Sequence, residues 1–345
     1  MRFSVLDLAP VATGARTGEA LRNSIELARV TERLGYHRYW VAEHHGMPGI
    51  ASTSPAVLSA HIADATSAIR VGSGGVMLPN HAPLIVAEQF GMLEALHPGR
   101  IDLGIGRAPG TDQITALALR RPAEPVSADD FLGQISELMG FFEGSLPPEH
   151  PFARIFPIPA PGNVPEFWVL GSSEFSARVA ALLGLPFAFA HHFGPKALLP
   201  ALEAYRSEFQ PSPRAERPQV LVAVNALCAE TDEEASYLAA PGKLSLLQLR
   251  LGRPSTVPSP EAAARYAYDE RDREYVRGLP EIVGGPEAFR SQLDRLLEAA
   301  RPDEVMITTT THDPQHRIRS YSLIAGLYGI VPGVKEPAVD HRSGA

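Results

Sequence analysis

Short apolar runs alternate with amphipathic runs along the whole of this chain, and that alternation is what builds a parallel β/α architecture. The apolar runs fall at 3–8, 39–42, 69–76, 101–105, 167–170, 187–190, 220–228 and 304–309. Helices are predicted at 17–34, 53–68, 83–96, 129–142, 174–183, 196–209, 232–240, 286–300 and 315–327. In the first of them Ala20, Leu21, Ile25, Leu27, Ala28 and Leu34 recur close to helical spacing, and Gly35 ends the run. Pro55 is tolerated in the first turn of 53–68, and His97-Pro98-Gly99 stops 83–96. Several strands are apolar on both faces, as buried parallel strands must be. Eight strands, each followed by a helix, predict an α/β fold of the (β/α)8 TIM-barrel type. A doubly wound open sheet is the alternative and fits eight consecutive units less well. The Pro- and charge-rich stretch 241–285, after the seventh strand, is too long for a barrel loop and is expected to be a lid or mobile insertion within one domain spanning 1–345.

Composition narrows the function classes. Lys and Arg number 31 against 39 Asp and Glu, a net charge of −8, which argues against a nucleic-acid partner. A single cysteine, Cys228, excludes an internal disulfide framework and a four-cysteine zinc site. Asp7 interrupts the first apolar run too early for a signal peptide, and no apolar stretch reaches the ~18 residues of a spanning helix. A cytoplasmic protein without a membrane partner is expected.

Barrels of this kind place their chemistry at the carboxyl ends of the strands. There the sequence offers Glu43-His44-His45, Gly74-Gly75, Gly104-Ile105-Gly106-Arg107, Gly171-Ser172-Ser173 and His191-His192-Phe193. Gly171-Ser172-Ser173 opens a helix, whose free N–H groups and dipole favour an anion, and Arg107 adds a fork donor from the neighbouring strand end. The plain alternative is that Ser172 or Ser173 only caps the helix. Gly74-Gly75 inside a strand marks either a flat ligand close by or a bulge. Gly104-x-Gly106 is not a dinucleotide fingerprint, because the third glycine comes late and Pro109 sits in the turn. His44 and His45 point in opposite directions on extended backbone, so one suits an acid/base role and the other a structural hydrogen bond. They do not converge on a metal, and no metal site is expected; the pair His191 and His192 carries the same ambiguity.

These residues resemble the bacterial luciferase-like flavin monooxygenases. The likeness is carried by Trp40-Val41-Ala42-Glu43-His44-His45, by the segment from Val71 to Pro79, and by the block from Leu96 to Arg107. The block from Gly171 to Pro186 and the turn Val283-Gly284-Gly285-Pro286-Glu287 complete it. The resemblance implies a TIM barrel that uses FMN, supplied reduced by a separate flavin reductase, and O2 to oxidise an organic substrate through a C4a-peroxyflavin. It implies that His44 handles the peroxide and its protons, that Arg107, Ser172, Ser173 and Ser176 clamp the phosphate, and that Gly74-Gly75 forms a non-prolyl cis peptide beside the flavin ring. Gly106 stands where luciferase has a reactive cysteine. The 241–285 stretch matches the family's long insertion after strand seven. The alternatives are a deazaflavin-dependent hydride-transfer enzyme on the same fold and a flavin-binding protein without turnover. An aromatic or polyketide intermediate of antibiotic biosynthesis is one substrate class the composition allows. Family members pair through the second and third barrel helices, so a homodimer is expected, with Ala56, Leu58, Ala60, Ala63, Ala87 and Phe90 as its small and apolar surface.

Overall fold

The computed structural model describes residues 1–120 and 128–332. Its elements run β1 (Arg2–Asp7), α1 (Thr17–Leu34), β2 (Arg38–Val41), α2 (Pro55–Ala65), β3 (Arg70–Met77), α3 (Pro83–Leu96), β4 (Ile101–Gly106), α4 (Gln113–Arg120), α5 (Ala128–Glu143), β5 (Glu166–Gly171), α6 (Glu174–Leu182), β6 (Phe187–Ala190) and α7 (Leu198–Glu208). They continue with β7 (Val220–Cys228), α8 (Asp232–Arg250), α9 (Pro260–Ala264), α10 (Glu270–Arg277), β8 (Glu281–Gly284), α11 (Pro286–Ala300), β9 (Glu304–Thr308) and α12 (Pro314–Tyr328). All pairings between named strands are parallel. β1 to β6 pair in chain order, β1 also pairs β9, and β7 bridges β6 and β9, which closes an eight-stranded TIM barrel.

Three layers fill the barrel. At the amino ends of the strands Arg38, 2% exposed, meets Asp102 at 2.9 Å, Glu304 at 2.9 Å and Glu166 at 3.3 Å. Arg70 adds a second cation on Asp102. Charges this buried persist only where each has its counter-charge, so the cluster is an all-or-nothing unit. Above it Trp40 and Trp168 meet edge to face with ring centroids 5.6 Å apart, and Trp40 Nε1 donates to Asp102 at 2.7 Å. Leu6, Ala188, Leu221 and Met306 complete this plug, which seals the lower barrel. The third layer, at the carboxyl ends, is a cavity. Outside the strands a larger apolar shell binds the helices.

The 241–285 stretch, expected as a lid or mobile insertion, is built largely of regular elements. α8 runs ten residues beyond the expected end, through Pro241, because Leu238, Pro241, Leu244 and Leu247 all fall on its buried face. α9 and α10 follow, and β8 is a ninth strand that pairs with the upper part of β7, 225–228. Helix α4, also unexpected, follows β4. A strap at 254–257 crosses the mouth: Val257 N donates to Val11 O and Thr13 N to Val257 O, both at 2.8 Å. The small and apolar residues expected at a dimer surface are in part core, since Leu58, Ala63, Ala87 and Phe90 are buried in this chain. Val57, Ile85, Met92 and Leu96 are the exposed apolar residues of α2 and α3. Among the described residues no helix is long and apolar enough to cross a membrane.

Candidate active site

A cavity of about 390 Å³ opens at the carboxyl ends of the strands. His44, Gly74, Arg107, Ser172, Ser173 and Ser176 all line it, so residues spread over more than 130 positions of sequence meet at one place. Gly75 does not line it. A Cβ there would lie 2.7 Å from Gly104 O, so Gly75 is turned to the neighbouring strand. The Gly74–Gly75 peptide is cis, as the resemblance implied. A Cβ at Gly74 would lie 2.8 Å from Leu6 Cδ1 and 3.0 Å from Trp40, which leaves glycine as the residue that fits above the plug.

One wall is built by two adjacent strand ends. β4 ends at Gly106 and β5 at Gly171, so Arg107 and Ser172 emerge side by side. Ser173 is the N-cap of α6, yet its side chain makes no capping hydrogen bond. Nor do the hydroxyls of Ser172 and Ser176 have a partner among the described residues. Capping therefore does not account for these serines. A Cβ at Gly171 would fall 2.2 Å from Ser176 Cβ, so only glycine lets α6 start this close to β5. The Arg107 guanidinium lies 4.4 Å from the Phe175 ring and has no carboxylate partner among the described residues. A guanidinium and three hydroxyls without partners among the described residues, beside a helix N-terminus, are groups that could hold an anion.

The histidines separate. His44 lines the cavity and its Nδ1 sits 3.2 Å from Gly110 O. A carbonyl only accepts, so Nδ1 carries the proton and Nε2 is left with its lone pair. Burial holds the His44 pKa below its ordinary value, partly offset by that carbonyl and by Glu43. His45 turns the other way, with Nε2 2.9 Å from Glu43 Oε1. Of the second pair, His192 lines the cavity and His191 does not; burial pushes His192 down to about 4.

Sequence reasoning gave Glu43 no role of its own. The carboxylate is fully buried and accepts from His45 Nε2, from His81 Nε2 at 2.9 Å, from Met77 N at 2.9 Å and from Asn80 Nδ2 at 3.2 Å. It thereby ties the segment bearing His44 to the end of β3 and the turn after it. The opposite wall was also missed. Asn225, Lys243, Glu281 and Thr308 line the cavity there, and Lys243 pairs with Glu281. A legible signal existed, because Asn225 is the lone polar residue in the apolar strand VLVAVNALC.

The model of the luciferase-like monooxygenase family matches residues 1–313. The chain belongs to that family. A luciferase-like monooxygenase of Escherichia coli is 43% identical over 323 residues, covering 93% of this chain and 95% of its own. The N-acetyl-S-alkylcysteine monooxygenase of Bacillus subtilis is 34% identical over 330 residues, covering 94% and 97%. Apo-MsnO8, known from its crystal structure, superposes with a TM-score of 0.88 at 38% identity over 96% of this chain and 99% of its own. The luciferase-like fold itself serves more than one cofactor. It is shared with the oxygenating constituent of 3,6-diketocamphane monooxygenase from Pseudomonas putida, solved with FMN (TM-score 0.71, 20% identity, 97% and 100% covered). An F420-dependent secondary alcohol dehydrogenase shares it too (TM-score 0.68, 14% identity, 97% and 99% covered).

Proposed function

We propose that this member of the family is an FMNH2-dependent monooxygenase that oxidises an organic substrate with O2. The observation that carries the reading is that the anion cradle of Arg107, Ser172, Ser173 and Ser176 lines one cavity together with His44. These residues fit FMN: the unpartnered hydroxyls and guanidinium would hold its phosphate, and the backbone at Gly74 would lie against its flat ring. Bound reduced FMN would supply the electrons that activate O2. The protein's part is to bind, shield and manage protons. His44, neutral near pH 7 with its proton held by Gly110 O, presents Nε2 as an acceptor or relay. The leucine-rich wall keeps water from the reacting centre. In this reading residues 1–345 are one barrel domain, 241–285 is its lid, and a separate reductase delivers the flavin in the cytoplasm.

Anaerobic titration with FMNH2 tests the proposal. Losing a charge-assisted contact of ~1.5–3 kcal/mol weakens binding by roughly 10- to 100-fold, so Arg107→Ala should do so without lowering thermal stability. No FMNH2 binding, or tighter binding of a reduced deazaflavin, overturns it. The substrate has apolar bulk to match the wall, which suits a tailoring step in antibiotic biosynthesis; a sulfur or alkane operon around the gene refutes that setting. The exposed Val57, Ile85, Met92 and Leu96 support a homodimer through α2 and α3, and a sedimentation mass of one chain refutes it.

A further inference from the structure

The wall opposite the anion cradle carries a second polar patch with a different chemical character. Asn225 is in register with Glu281 on one side and with Thr308 on the other, so three polar side chains lie in one row across β8, β7 and β9, and all three line the cavity. Lys243 reaches the row from α8 and pairs with Glu281; their side chains are 24% and 12% exposed. Thr308 is only 8% exposed, and its hydroxyl has no partner among the described residues. The Asn225 amide is likewise free of side-chain partners. Around the row the lining is apolar, with Leu227, Leu246, Leu249, Leu279 and Val283.

Charge decides what this patch can take. A ligand bearing only a carboxylate could use Lys243, Asn225 and Thr308, but it would set a second negative charge beside the Glu281 carboxylate in a confined space. A ligand bearing only an ammonium would satisfy Glu281 but would drive Lys243 off its partner. A ligand carrying an ammonium and a carboxylate on one carbon leaves every group with a counter-charge: its ammonium on Glu281 and the Asn225 carbonyl, its carboxylate on Lys243 and the Thr308 hydroxyl. We propose that this row is the substrate subsite for a zwitterionic α-amino-acid head, with the apolar side chain laid along the leucine-rich wall. The inference deepens the monooxygenase reading, since it names the substrate class of the same cavity.

Three ligands with the same n-butyl tail and differently charged heads test it. L-norleucine, N-acetyl-L-norleucine and n-pentylamine are titrated calorimetrically into the flavin-free protein. L-norleucine should bind at least ~10-fold more tightly than either singly charged analogue, and Lys243→Met and Glu281→Gln should each weaken it by a similar factor. The double variant Lys243→Met/Glu281→Gln leaves neither charge unpaired. It should fold with an unchanged circular dichroism spectrum and lose the preference, even if a single variant is unstable. Tighter binding of the acetylated acid, tighter binding of the amine, no discrimination, or no binding of any of the three overturns the proposal. FMNH2 binding is measured in parallel on the same preparations. Loss of amino-acid binding with flavin binding intact removes this subsite alone, whereas absent flavin binding removes the monooxygenase reading and leaves the titrations to stand by themselves.

Discussion

Replacing Glu43 by Gln keeps the shape of the side chain and removes a charge that four donors converge on. In the protein Oε1 faces His45, His81 and Asn80, while Oε2 accepts from Met77 N and from His81 at 3.0 Å. A glutamine has one acceptor oxygen and one NH2. Either Met77 N loses its partner, or the side-chain donors meet an N–H. With a charge-assisted hydrogen bond contributing ~1.5–3 kcal/mol, the loss should be about 2–4 kcal/mol. For an unfolding entropy of ~2.1 cal/mol/K per residue over a chain of this length, that is a fall of roughly 3–6 °C in Tm. The pH dependence gives a sharper test. Burial raises the Glu43 pKa, but the hydrogen bonds led by His81 outweigh it and hold the group below its ordinary 4.5. A depressed carboxylate stabilises the fold fully above its unfolded value, and the contribution is lost as pH falls through the folded one. The Tm gap between wild type and Glu43→Gln should therefore be widest near pH 7 and close below 4.5. FMNH2 affinity should change by less than ~3-fold, because the carboxylate does not line the cavity. Equal Tm values at pH 7, or a gap unchanged below pH 4.5, refute the hub.

Two further substitutions probe the cavity. Gly171→Ala places a Cβ 2.2 Å from Ser176 Cβ, so α6 must shift; stability should fall by ~1–3 kcal/mol, and FMNH2 affinity should fall more than in Ser173→Ala, as anaerobic titration would show. His44→Ala should increase hydrogen peroxide release per turnover while leaving Tm within ~1 °C. Its imidazole has a pKa held below 6.5, so an acid limb due to His44 must lie below that pH and vanish in the variant. Unchanged coupling would remove His44 from proton handling.

How much of this the sequence discloses depends on where local signals agree with tertiary ones. Helix α1 is legible to the residue at both ends because Gly35, at φ +93°, provides its left-handed stop, and α3 because Pro83 and the His97-Pro98-Gly99 turn bracket it. α8 was cut short because Pro241-Gly242 reads as a break, although the buried residues keep their helical spacing through it. β8 is four residues long and joined to a glycine pair, and only the free upper edge of β7 makes it a strand. At the site the meeting of Arg107 with Ser172, Ser173 and Ser176 was legible, since glycines and serines at strand ends carry their own geometry. Glu43 was not, because its role rests on His81, Met77 and Asn80 arriving from another strand end. The row of Asn225, Glu281 and Thr308 was hidden for the same reason. Asn225 can be seen as an oddity in its strand, but neither Glu281 nor Lys243 announces a partner in sequence.

The strap over the mouth bears on timing rather than on affinity. Besides its two backbone bonds, Val257 O also lies 3.0 Å from His312 Nδ1, and Thr256 and Thr13 share a hydroxyl contact of 2.8 Å. At ~0.5–1.5 kcal/mol each, four such ties keep the strap released for only a small fraction of the time. A molecule too large to slip past would depart no faster than those ties break. Unlike ligands of that size should then share one slow departure rate, a property of the strap and not of how well each one fits below it.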